Sequence, residues 1–114
     1  MLKKINRLKR KKDFEEIFQN GKALRNSFLV LKLKKNTVKD SRFAFVVSQK
    51  VSKKAVERNK IRRRMSEIIK VEVKNIKTGT DFVFIVTPAA KGKDFSQFKD
   101  AVIGLLIKSK CLNV

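Results

Sequence analysis

Two stretches decide the fold: Phe43-Ala44-Phe45-Val46-Val47 within residues 42–48, and Phe82-Val83-Phe84-Ile85-Val86 within residues 81–87. Each is a run of aromatic and β-branched residues with no polar alternation. Such runs suit strands that bury both faces, so both are predicted as central strands. Between them, residues 53–74 have helical spacing, with Ile61, Met65, Ile68 and Ile69 forming one apolar stripe. A strand, a long helix and a second strand imply a parallel pair joined by a crossover.

Working outward, residues 27–33 form another β-like run, followed by a polar turn around Lys35-Asn36-Thr37. Phe14, Ile17 and Phe18 fall at i, i+3 and i+4 of a short helix, which Asn20-Gly21 stops. At the other end, Asp94 is a candidate N-cap. The stripe of Phe95, Phe98, Val102, Leu105 and Leu106 beyond it should cover the sheet. The expected order is helix, strand, strand, long helix, strand, helix. It predicts an α/β sandwich with one small mixed sheet. Residues 1–114 read as a single domain, of which residues 1–12 are a basic N-terminal arm with seven Lys or Arg and no acid.

The charge is as informative as the pattern. Thirty Lys and Arg against ten Asp and Glu leave a formal +20, which calls for a polyanionic partner or counterions. An apolar content of 42% is enough for a core, so this is no disordered basic tail. There is no His, which removes an imidazole base, a His-ligated zinc and a Ser-His-Asp triad. The lone Cys111 can form no intramolecular disulfide and fits a reducing compartment. The longest uncharged apolar run is seven residues, 101–107, far below the ~20 of a membrane span. No secretory core follows Met1, so the expectation is a soluble, cytoplasmic protein.

Lipid surfaces also attract basic proteins, but their helices stand alone with Trp, Phe or Leu on one face. Here basic segments alternate with strands, which favours nucleic acid. Of eight Arg, four lie within residues 58–64, whereas Lys is scattered. Arg bonds two acceptors of a phosphate or base edge at once. On the long helix, Arg58 and Arg62 sit one turn apart beside the apolar stripe and should border a groove. Asn59, Ala55 and Ser66 share that flank, while Lys60, Arg63 and Arg64 point to solvent. Phe14 and Phe18 admit two readings, as core or as the edge of a groove that stacks unpaired bases. Aromatics facing Arg would suit single-stranded RNA better than duplex DNA. No helix-turn-helix or dimerising heptad supports a DNA-binding role.

The run Ala55-Val56-Glu57-Arg58-Asn59-Lys60-Ile61-Arg62-Arg63 resembles the A-x-x-R-N-R-[IL]-[KR]-R helix of the protein subunit of bacterial ribonuclease P. Phe14-x-x-x-Phe18-x-x-Gly21 resembles that family's first helix and turn. Lys60 departs from the family's usual Arg, keeping the charge but losing the fork. The resemblance implies an S5 domain 2-like sandwich with a left-handed crossover, although such units are right-handed in about 98% of cases. It implies a ribonucleoprotein endoribonuclease that removes the 5′ leader from precursor tRNA, with catalysis and the required Mg²⁺ in the RNA. It also implies that the protein binds no metal or cofactor and no membrane. By resemblance, Lys53, Lys54, Arg58, Asn59, Lys60, Arg62 and Arg63 would bind the catalytic RNA. Phe14, Phe18, Leu31, Arg58 and Arg62 would line the leader cleft. The remaining alternative is a structural ribosomal or general RNA-binding protein. The ten acids are dispersed, and no pair suggests a two-metal site in the protein itself. Of these acids, Asp81 is expected, like Asp94, to cap an element.

Overall fold

In the computed structural model, which describes residues 2–112, each of the three apolar runs becomes a strand. The chain forms α1 (Lys11–Asn20), β1 (Lys22–Arg25), β2 (Leu29–Lys35), β3 (Arg42–Val47), α2 (Ala55–Glu72), β4 (Thr80–Val86) and α3 (Phe95–Lys108). The strands pair in the order β1-β2-β4-β3. β1 with β2 and β2 with β4 are antiparallel, and β3 with β4 is parallel. The mixed α/β sheet and its helical crossover are therefore as the sequence predicts.

β3 differs from expectation: it is an edge strand. Its apolar run suggested a strand buried on both sides, but residues 2–8 supply the cover instead. Leu8 donates its N–H to the Phe43 carbonyl at 2.9 Å, Arg7 forms a parallel bridge with Phe43, and Asn6 Nδ2 donates to the Ser41 carbonyl at 2.8 Å. Leu2 and Leu8 are buried. The basic arm thus shields an edge that would otherwise be open to pairing with another chain. Helix α1 begins at Lys11, within the segment read as the arm.

Strand alternation sends successive side chains of β2 and β4 to opposite faces. Leu29, Leu31, Leu33, Phe82, Phe84 and Val86 join the main core with Met65, Ile68 and Ile69 of α2 and Phe98, Val102, Leu105 and Leu106 of α3. Val83 faces the other way, into a smaller cluster with Leu8 and Ile17, against which Phe14, Ala44 and Ile85 pack. So α2 and α3 cover one face and α1 covers part of the other. Phe43 stacks on Phe82 with ring centroids 4.9 Å apart, joining β3 to β4 within the main core.

Two local expectations change. Asp94 does cap α3, in a capping box with Gln97, but Phe95 lies off the buried stripe at 44% exposure. Asp81 caps nothing. It is buried in β4 and takes a bidentate contact from Arg42, with Nε at 2.8 Å and Nη2 at 2.7 Å. Asn36 adds a hydrogen bond to Asp81 at 2.8 Å, and Asp13 of α1 lies 3.3 Å from Arg42 Nη1. This network joins β3, β4 and α1 at one end of the sheet. Gly21, which ends α1, has an ordinary negative φ. It is needed for closeness, because a Cβ there would sit 2.5 Å from the Ile17 carbonyl oxygen and 2.8 Å from that of Leu33.

Candidate nucleic-acid interface

Asn59, Arg62, Arg63 and Ser66 recur at i, i+3, i+4 and i+7, so they share one face of α2. That face overhangs the β3 edge and forms one wall of a groove of about 590 Å³. Phe43, Ala44 and Phe45 form its floor. Phe14 of α1, with Arg7 and Lys9 of the N-terminal segment, forms the far side. No acid lines it. Arg62 Nη2 donates to Asn59 Oδ1 at 3.0 Å, which orients the guanidinium along the wall. An apolar floor under a cationic rim can take bases flat and phosphates at the edge.

Of the five residues expected in the cleft, Phe14 and Arg62 line this groove. Phe18 does not; it lies on the α1 side of the sheet, 43% exposed, with Lys32 Nζ 4.9 Å from its ring centroid. Arg58 turns toward the segment before α2, where its Nη1 donates to the carbonyls of Ser52 at 2.9 Å and Lys53 at 3.0 Å. Leu31 is a correction. It is fully buried and packs toward α2 and α3 on the opposite face. Its neighbour Lys32 faces α1 in its place. The spacing of Leu29, Leu31 and Leu33 carried this parity, since three leucines two apart mark the core face of a half-covered strand.

Lys53, Lys54 and Lys60 are exposed along the first part of α2 and the segment before it. Lys60 and Arg64, one turn apart on α2, border a separate groove with Lys91 and Lys93 across it, and Glu57 and Asp94 line it too. Asn59 and Arg63 join Arg62 in the main groove, so the residues expected to bind RNA divide between two sides of α2. Sequence reasoning missed Arg7, Lys9 and the three floor residues of β3. The arm has no helical or strand periodicity, so nothing local says which edge it covers.

The entrance of α2 is shaped by its own side chains. Lys54 offers no side-chain cap. Ser52 Oγ accepts from the Lys54 N–H at 3.2 Å and donates to Glu57. That hydrogen bond, assisted by Lys54, Lys91 and Lys60, lowers the Glu57 pKa from its ordinary 4.5. Among the described residues, no group of three or more His, Cys, Asp or Glu could hold a metal ion. No helix among them is long and apolar enough to cross a membrane.

The ribonuclease P family model matches residues 2–110. The ribonuclease P protein component of Clostridium botulinum strain 657 is 35% identical over 111 residues, covering 96% of this chain and 99% of that one. The chain belongs to the ribonuclease P protein family. The corresponding protein of Synechocystis is 41% identical over 98 residues, covering 85% of this chain and 79% of its own. Among solved structures, the ribonuclease P protein of Staphylococcus aureus superposes with a TM-score of 0.88 at 29% identity, covering 95% of this chain and 98% of that chain. That of Thermotoga maritima gives 0.82 at 33% identity, covering 90% and 96%.

In this chain, the run that resembles the family helix is the first half of α2. Two of its three arginines, one turn apart, have separate tasks. Arg62 lines the groove and Arg58 secures the segment leading into the helix. Lys54, at the N-cap, offers no side-chain cap, and Glu57, the one acid of the first turn, faces the positive end of the helix dipole.

Proposed function

We propose that this chain serves ribonuclease P as its cationic, non-catalytic half, in the cytoplasm, with the active site and its Mg²⁺ in the partner RNA. The single-stranded 5′ leader of precursor tRNA lies in the groove between Phe14 and Arg62, over Ala44 and Phe45. Lys53, Lys54, Asn59, Lys60 and Arg63 meet the catalytic RNA along α2. Arg58 acts indirectly, by holding Ser52 and Lys53 in place, and Phe18 extends the leader surface beside Lys32. The observation that carries this reading is the acid-free groove, with an aromatic wall on one side and three arginines among its lining residues. Its cations lower the repulsion between two RNAs, which supports cleavage at low Mg²⁺.

Leader dependence tests the reading. Precursor and mature tRNA are titrated against the assembled enzyme carrying wild-type protein, Phe14→Ala or Arg62→Ala. Loss of one stacked base, about 1–3 kcal/mol, should weaken precursor binding roughly fivefold or more and leave mature tRNA unaffected. Equal losses for both RNAs would make the chain a general RNA-binding subunit without a leader site.

A further inference from the structure

The opposite edge of the sheet carries a second positive groove that the leader reading does not use. It has a volume of about 480 Å³ and lies where the C-terminal end of α3 meets β1 and β2. Leu24, Leu33 and Cys111 give it an apolar floor, and no acid lines it. Lys22, Lys35, Lys108 and Lys110 surround that floor and are all exposed. A fifth lining lysine, Lys34, is already paired with Glu16.

Lys110 adds an independent observation. It follows Ser109, the C-cap of α3, and has φ of 62°, the one positive φ at a non-glycine residue among those described. Its N–H donates to the Ile107 carbonyl at 2.9 Å, and the Cys111 N–H donates to that of Leu106 at 3.2 Å. This is a Schellman ending, whose left-handed position favours Gly because a side chain crowds the backbone there. A lysine stands at a position where glycine would fold more easily. The helix dipole accounts for a cation in the last turn, where Lys108 already stands. It explains neither a left-handed lysine nor Lys22 and Lys35, which come from two strands. A guard for the open β1 edge would explain Lys22 alone.

We infer that this lysine groove is a second RNA site, which grips phosphate backbone without reading bases. This inference rests on the proposal that the chain binds the ribonuclease P RNA. The chemistry differs between the two edges. The β3 groove offers Arg7, Arg62, Arg63 and the rings of Phe14 and Phe45, which suit planar and bidentate recognition. The β1 groove offers ammonium groups over an aliphatic floor, which hold phosphates as point charges. Three strand spacings, about 14 Å, separate the two edges. An RNA segment seated in one groove therefore leaves the other for a different segment.

The test is the salt dependence of binding, with labelled ribonuclease P RNA as the probe. Wild-type protein, K110G, K22A/K35A and R62A are compared by anisotropy across a KCl series. Each lost phosphate contact should flatten the log–log salt slope by roughly 0.7–0.9. The expected changes are therefore about 0.8 for K110G and about 1.6 for K22A/K35A. K110G should also keep or raise the melting temperature while it loses RNA affinity, which a purely structural lysine would not do. Wild-type slopes in both lysine variants overturn the proposal when R62A still flattens its own. If R62A also matches wild type, the parent reading of the α2 groove falls, and the lysine site falls with it. Self-association of K22A/K35A with an unchanged RNA slope overturns the proposal too, making those lysines edge guards.

Discussion

The two faces of the sheet are made from similar residues and have different tasks. Toward α2 and α3, Leu31, Phe82 and Phe84 are fully buried. Toward α1, coverage is partial: Ile17 is buried, Phe14 is half-buried, and Phe18 and Val46 remain exposed. A ten-residue helix cannot cover a four-stranded sheet, whereas α2 and α3 together can. The difference teaches that an apolar side chain in this molecule is core where two helices close over it, and accessible where only α1 or the open side of β3 lies beside it. Hydrophobicity alone does not decide it.

The largest expected effect tests that division directly. Leu31→Ala should cost about 2–5 kcal/mol in urea unfolding, with RNA affinity per folded molecule unchanged. A stable Leu31→Ala protein with weakened RNA binding would invert the assignment of faces. Next, Asp81→Ala strands the Arg42 guanidinium in a largely buried site beside Asp13. A loss of about 2–4 kcal/mol is expected, read as an earlier urea midpoint.

Phe18→Ala sharpens the comparison from the exposed side. Stability should move by less than about 1 kcal/mol, while affinity for a leader-bearing precursor drops by about 1–3 kcal/mol. Unfolding of that variant would return Phe18 to the core. The smallest effect belongs to neither face. Glu57 has a folded pKa below its ordinary 4.5, so its contribution to stability is full above that value. The contribution fades as pH falls through the lower folded pKa. Melting curves taken from pH 6 down to pH 3 should therefore decline less steeply in Glu57→Gln than in wild type.

Much of this is legible in the sequence alone. The apolar stripe of α2, the cap at Asp94 and the buried run of β4 are local signals, and each stands where its spacing put it. β1 was missed because Lys22-Ala23-Leu24-Arg25 has four residues, no buried position and no clear alternation. It exists because β2 offers it an edge, with Asn26 closing the turn to Leu29. The site was legible in part. Phe14, Asn59, Arg62 and Arg63 meet in one groove, while Leu31 was one residue out of phase. In a strand that error reverses the face. Arg58 was misplaced for another reason. A guanidinium on a long, rotatable stem takes whichever carbonyls are in reach, and helical spacing does not reveal them.

By itself the sequence determined the polyanionic partner, the α/β class, the basic long helix and the concentration of Arg on it. These follow from composition and from periodicities that act over a few residues. Only the tertiary structure decided that β3 lies at an edge, that residues 2–8 cover it, and that α1 packs opposite α2 and α3. Those facts depend on strand pairing and layer order, which join residues far apart in the chain. The +20 charge is a property of composition; its division between an arginine groove and a lysine groove is a property of the fold.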